Sequence, residues 1–315
     1  MAIPSTEWKE QISADEAERF QRQGEAIRAA HALKNARYGK GRFLHRKPVV
    51  TAEARLDIAD DLPAHARHGV FASPGSKKAL VRLSNGAFDV QANARPDIRG
   101  FALRILDVEG EAALGGTTDH QDFLLINHDS FASKDSDEFV EFATLAAHGQ
   151  ASAIWTLFRT HGLAATISRL KTLAAVIGKP FAGFAAERFN TVLPHRIGPY
   201  AAKLLLVPTA PSAMTSKDPG ADIMAKLNAG PIEYRLCLQF YTDETSTPLE
   251  DHRKVWDEGV SSLIEVGRLT LLKAGPDLES LKFDPWGGLE DHRPLGEIMR
   301  ARKSAYYISQ KARLG

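Results

Sequence analysis

The run Gly296-Glu297-Ile298-Met299-Arg300-Ala301-Arg302-Lys303-Ser304-Ala305-Tyr306-Tyr307-Ile308-Ser309-Gln310-Lys311-Ala312-Arg313 carries one glycine, at its start, and no proline. Nothing after Gly296 opposes a helix, and the run predicts one over 296–313. Arg302 and Tyr306 are four residues apart, so their side chains meet on one helical face. A guanidinium beside a phenol oxygen favours the phenolate, because an opposite charge stabilises the ionised form. A phenolate is a hard anionic ligand that suits ferric iron, haem iron included. Arg313 lies two turns beyond Tyr306 on the same face, where it can pair with a carboxylate such as a haem propionate. By itself the Arg-x-x-x-Tyr spacing is common on surface helices. A solvated basic helix with two inward aromatic rings stays open at this point.

Working outward, the chain has 315 residues, 43% hydrophobic and 25% charged, the balance of a globular domain. Forty basic and thirty-nine acidic side chains leave a net charge of +1, which gives no electrostatic case for nucleic acid or a membrane surface. Cys237 is the lone cysteine, which excludes an internal disulfide framework and fits a reducing, cytoplasmic compartment. No secretory signal is visible after Met1. The most apolar stretch, 161–187, is interrupted by Arg169, Lys171 and Lys179 and so predicts no transmembrane segment. No composition shift divides the chain, and one domain over 1–315 is expected.

Trp8, Ile12, Ala14, Ala17 and Phe20 recur among polar residues and predict a helical N-terminal arm over 1–34, wrapped on the body or on a partner subunit of a homo-oligomer. Val50, Ala52, Ala54, Leu56 and Ile58 then alternate with polar residues, the period of a half-buried strand. Further strands are expected at 79–84, 101–105, 123–127, 199–208, 232–241 and 262–272, separated by turn residues, with helices over 135–185. About eight antiparallel strands with peripheral helices predict an α+β chain built on a closed eight-stranded β-barrel, which leaves no exposed sheet edge. His65 and His68 have helical spacing but no third ligand nearby, so a metal site there is not expected.

Four short runs fall in a telling order: Arg42-Phe43-Leu44-His45; Arg82-Leu83-Ser84; Asp97-Ile98-Arg99-Gly100-Phe101-Ala102; and Arg302-x-x-x-Tyr306 with Arg313. This succession resembles the haem catalases. It is most similar to the short bacterial catalase-like haem proteins and the related coral-type allene oxide synthases. Gln121 to His128, Phe283-Asp284-Pro285-Trp286 and His292-Arg293-Pro294-Leu295-Gly296 look characteristic of that short branch.

The resemblance implies haem b as cofactor. It implies Tyr306 as the axial ligand of the ferric iron and Arg302 as the group that holds it as phenolate. His45 would be the acid–base over the distal face, oriented by Ser84. Arg42, Arg82 and Arg313 would pair with the propionates, and Phe131 would stack on the porphyrin. The implied activity is a haem peroxidase or catalase-like reaction on hydrogen peroxide or an organic hydroperoxide, with a small organic electron donor. Two rivals stay open: rearrangement of a fatty-acid hydroperoxide, and a non-enzymatic barrel that binds haem or a lipid. The family's distal asparagine has no counterpart in Thr117-Thr118-Asp119-His120-Gln121, and Asn127 comes several residues later. Peroxidase activity is therefore expected to exceed catalase activity.

Overall fold

Alternation in the first strand sets the inside of the barrel. In the computed structural model, which describes residues 3–86 and 90–314 apart from the side chains of 146, 150 and 312–314, β1 spans Pro48–Ile58 and buries Val50, Ala52, Ala54, Leu56 and Ile58. It pairs antiparallel with β2, Gly75–Asn85, which pairs with β3, Arg99–Glu111, and that with β4, Thr117–Ile126. A two-residue strand, β5 (Phe189–Asn190), follows, and β6 is His195–Ile197. The long strands β7 (Tyr200–Pro208), β8 (Ile232–Phe240) and β9 (Leu263–Ala274) form a meander that returns to β1. Asn190 closes the ring, facing Ile126 of β4 and Leu205 of β7. The result is a closed antiparallel eight-stranded barrel, with β6 added outside on β7. The expected α+β barrel is what the chain forms.

The short β5 works because aromatic rings fill the barrel behind it. Phe189 stacks on Phe184 at 5.9 Å and meets Phe101 at 5.2 Å. Such pairs add to the burial of their large apolar area. Two residues carry no periodicity, which is why this strand is absent from the expected set.

Five helices lie outside the barrel: α1 (Glu16–Tyr38), α2 (Ser136–Leu145), α3 (Gln150–Ile177), α4 (Pro219–Ala229) and α5 (Glu297–Leu314). The N-terminal arm differs from its expected form. Residues 3–15 are not helical, because they tie to the barrel instead. The Ser5 amide donates to the Tyr241 carbonyl at 2.9 Å, and the Trp8 indole N–H donates to the Pro199 carbonyl at 2.9 Å. The helix begins at Glu16 and runs past residue 34 to Gly39, whose φ of 79° ends it. Helix α4 is not among the expected elements. Pro219 opens it, and the Asp218 carboxylate accepts the Gly220 and Ala221 amides. Helix α5 matches its expected span within one residue, and α1 lies close against it, Gly24 leaving room for Ile308.

Candidate functional site

The outer faces of β2, β3 and β4 make one wall of the site. Strand register places Ser84, Gly100 and Ile126 in one row, Arg82, Ala102 and Leu124 in the next, and Leu80, Arg104 and Asp122 below. The second wall is α5, fastened to the first by residues 284–286. The Asp284 amide donates to Asp122 at 2.8 Å, and its carboxylate accepts from Gln310 of α5 at 2.7 Å. The Trp286 indole donates to the Met299 carbonyl at 3.1 Å. His45, Ala102, Leu124, Ile126, Arg302 and Tyr306 are half-buried. Burial is nonetheless the largest influence on the titration of both His45 and Tyr306.

His45 sits just before β1 with φ of 50°, a left-handed conformation uncommon for a non-glycine residue. Its Nδ1 lies 3.0 Å from the Ser84 hydroxyl. The ring lies over Gly100, where an added Cβ would come within 2.5 Å of Nδ1. Burial first, then the charges of Arg82, Arg302 and Arg42, push its pKa down to about 3. The imidazole is therefore neutral at physiological pH. With Nδ1–H donating to Ser84, Nε2 is left as the basic nitrogen.

On α5, Arg302 Nη2 donates to the Tyr306 phenol oxygen at 2.7 Å. The phenolate expected from this pair alone is not reached. Burial raises the phenol's pKa by more than Arg302 lowers it, and Asp284 and Asp122 raise it further. Arg302 is otherwise held by the Met299 sulfur at 3.5 Å and by the Phe139 ring, 5.8 Å away. It has no ion-pair partner among the described residues. A guanidinium in that position calls for an anion, and the adjacent phenolate, stabilised by ferric iron, would supply it.

The expected propionate partners are differently engaged. Arg42 and Arg82 both grip Glu279, at 2.5 and 2.9 Å. Arg82, only 2% exposed, also donates to the carbonyls of His45 and Arg46. The Arg313 side chain lies outside the described residues. Phe131 is half-buried, 5.5 Å from Phe139, and its amide donates to the His252 carbonyl at 2.9 Å.

The candidates for a distal amide are held by other groups, except that the Asn127 amide nitrogen has no partner among the described residues. Gln121 turns its amide to Leu289 and Asp122. His120 bonds Asp119. Asn127 accepts the Arg99 amide at 2.7 Å in a buried position. The residue that register places next to Gly100 is Ile126. Sequence reasoning missed Glu279, Phe139, Met299 and Ile126 as parts of the site. Only Ile126 left a trace, in the strand alternation around it. No cluster of three metal-ligating His, Cys, Asp or Glu side chains occurs among the described residues.

The donor set fits haem: a phenol oxygen flanked by a cation on one wall, a neutral base held by a hydroxyl on the other, and aliphatic surface between. The barrel and its outer helices define a catalase-like fold. Catalase A from Saccharomyces cerevisiae is similar over 87% of this chain and 61% of its own, with a TM-score of 0.67 and 18% identity. A fungal catalase gives 0.67 and 18% over 87% of this chain and 59% of its own. A bacterial catalase gives 0.67 and 17% over 100% of this chain and 64% of its own. The chain thus spans about three fifths of the length of these catalases. No protein-family model and no curated sequence matches it.

Proposed function

We propose that the protein binds haem b between the outer face of β2–β4 and α5, and that it reduces hydrogen peroxide or an organic hydroperoxide, taking electrons from a small organic donor. The observation that carries this reading is the pairing of a neutral His45, fixed on Ser84 and Gly100, with the Arg302–Tyr306 pair on the facing helix. Tyr306 is the iron ligand in this reading, and Arg302 balances its charge. The bound haem supplies the redox chemistry that cleaves the peroxide O–O bond. His45 Nε2 takes the proton of the incoming hydroperoxide and returns it to the leaving oxygen, as a general acid–base. Ser84 holds the tautomer that keeps Nε2 free.

Peroxidase activity is expected to exceed catalase activity. Disproportionation needs a second hydrogen peroxide to be positioned over the iron, and positioning supplies much of such a rate. Ile126, paired with Gly100 under the His45 ring, offers that small molecule no hydrogen bond. An electron donor does not need the distal contact. The test is a haem-loaded sample whose absorption spectrum is recorded before and after peroxide. Oxygen evolution and phenolic-donor oxidation are then measured at the same peroxide concentration. A spectral change with donor oxidation and little oxygen supports the proposal. An unchanged spectrum refutes it, oxygen release without donor oxidation reverses the ranking, and consumption of a fatty-acid hydroperoxide without a donor favours rearrangement.

A further inference from the structure

Helix α3 leaves large apolar side chains at its surface, and few of its residues are covered. Of its twenty-eight residues, Leu157 and Thr166 are the ones buried among those described. Gly162, with φ of 77°, bends the helix and divides its surface in two. Before the bend, Ile154, Trp155 and Phe158 are 45%, 59% and 42% exposed, and the two rings touch at 5.8 Å. After it, Leu163, Ile167 and Ala174 lie exposed in one row with Lys171 among them, Leu163 at 63% and Ile167 at 44%. Scattered exposed apolar residues are ordinary, but a stripe of this length marks an interaction surface.

Charge identifies the partner. Residues 150–177 contain no aspartate or glutamate, and they carry Arg159, Arg169, Lys171 and His161. Glu141 of α2 engages Arg169 and His161, on the side facing the body. Arg159 and Lys171 remain at the surface beside the apolar stripes. Two copies of this face would bring like charges together. An anionic lipid surface meets the cations, while tryptophan, phenylalanine and leucine enter the boundary of the acyl chains. No described helix is long and apolar enough to cross a membrane, so α3 would lie in the interface rather than span it.

We infer that α3 docks the protein on a membrane surface rich in anionic lipid. The experiment is co-sedimentation of the full chain with vesicles of phosphatidylcholine alone and of phosphatidylcholine with phosphatidylglycerol. His45 and Tyr306 are not involved, so the result is independent of haem. Binding to the phosphatidylglycerol vesicles, weakened by high salt, is expected. The variant Trp155→Ser with Leu163→Ser should lower the affinity at least tenfold, and so should Arg159→Glu with Lys171→Glu. Thermal melting followed by circular dichroism checks that each variant is folded. Absence of binding, or binding that the folded variants leave unchanged, overturns the inference. So does a stable dimer in light scattering that the apolar variants dissociate, since a second copy would then be the cover.

Discussion

A methyl group at position 100 would lie 2.5 Å from His45 Nδ1 and 2.7 Å from the Ser84 hydroxyl oxygen. Both groups would have to move, and a base displaced by about an ångström loses roughly a hundredfold in rate. Gly100→Ala is thus expected to slow peroxide cleavage on that scale while leaving the ferric absorption spectrum, which reports Tyr306, unchanged. The complementary variant is Tyr306→Phe. It keeps the ring, removes the ligand oxygen, and should yield folded protein with lost or altered haem absorption. If the wild-type spectrum persists, Tyr306 is not the ligand. Glu279 tests a different interaction. Its carboxylate engages the guanidinium groups of Arg42 and Arg82, the charges that propionates would need. Glu279→Gln weakens that competition and frees an arginine to form a charge-assisted hydrogen bond with a propionate. Haem loss to an excess of scavenger is then expected to slow about tenfold, the scale of one such bond. Faster loss would mean that Glu279 aims the arginines rather than occupying them.

At the level of elements, α5 is held by charges that the sequence scatters over most of the chain. Arg300 bonds Glu16 at 2.6 Å, Glu10 at 2.7 Å and Glu250 at 3.4 Å, which joins α1, the N-terminal arm and the 241–262 connection to one guanidinium. Burial pushes the Glu10 carboxyl up, but the Gly296 amide, Arg293 and Arg300 together hold it below its ordinary value. Arg300→Ala leaves three partly buried carboxylates without their common cation, a loss of about 3 kcal/mol. A denaturant titration of the apo protein should show that loss as a lower midpoint with an unchanged slope. Because α5 carries both Arg302 and Tyr306, the same variant should also release haem faster.

The whole molecule keeps several histidines neutral inside it. Burial is the main cause for each: His45, His195 and His252 are pushed down to about 3, and His292 to about 4. In the unfolded chain they titrate near pH 6.5. Between those values the unfolded state binds more protons, so stability falls as pH drops below about 6.5, by up to about 1.4 kcal/mol per pH unit for each group. Asp122, Asp284 and Glu297, whose carboxyls burial raises, act in the opposite sense. The contribution of one histidine is isolated by His195→Phe, which keeps a ring against Phe123 and removes the titration. Melting temperatures from pH 8 to 5 should fall less steeply for that variant, with about one proton fewer taken up on unfolding. Parallel curves would place the His195 pKa at its ordinary value.

The sequence by itself determined the strands with clean alternation, the helix over 296–313, observed at Glu297–Leu314, and the pairing of Arg302 with Tyr306. Each depends on residues a few positions apart, where local geometry fixes which side chains share a face. The order of the Arg42–His45, Arg82–Ser84 and Arg302–Tyr306 runs pointed to the fold before any contact between them was known. Barrel closure through Phe189–Asn190 was decided only in three dimensions, since two residues carry no pattern and their role exists only between β4 and β7. The same holds for the grip of Glu279 on two arginines some two hundred residues away and for Ile126 opposite Gly100, over which His45 lies. The protonation of Tyr306 belongs there too. Spacing shows the cation next to the phenol, but burial outweighs it, and burial is a property of everything packed around the ring.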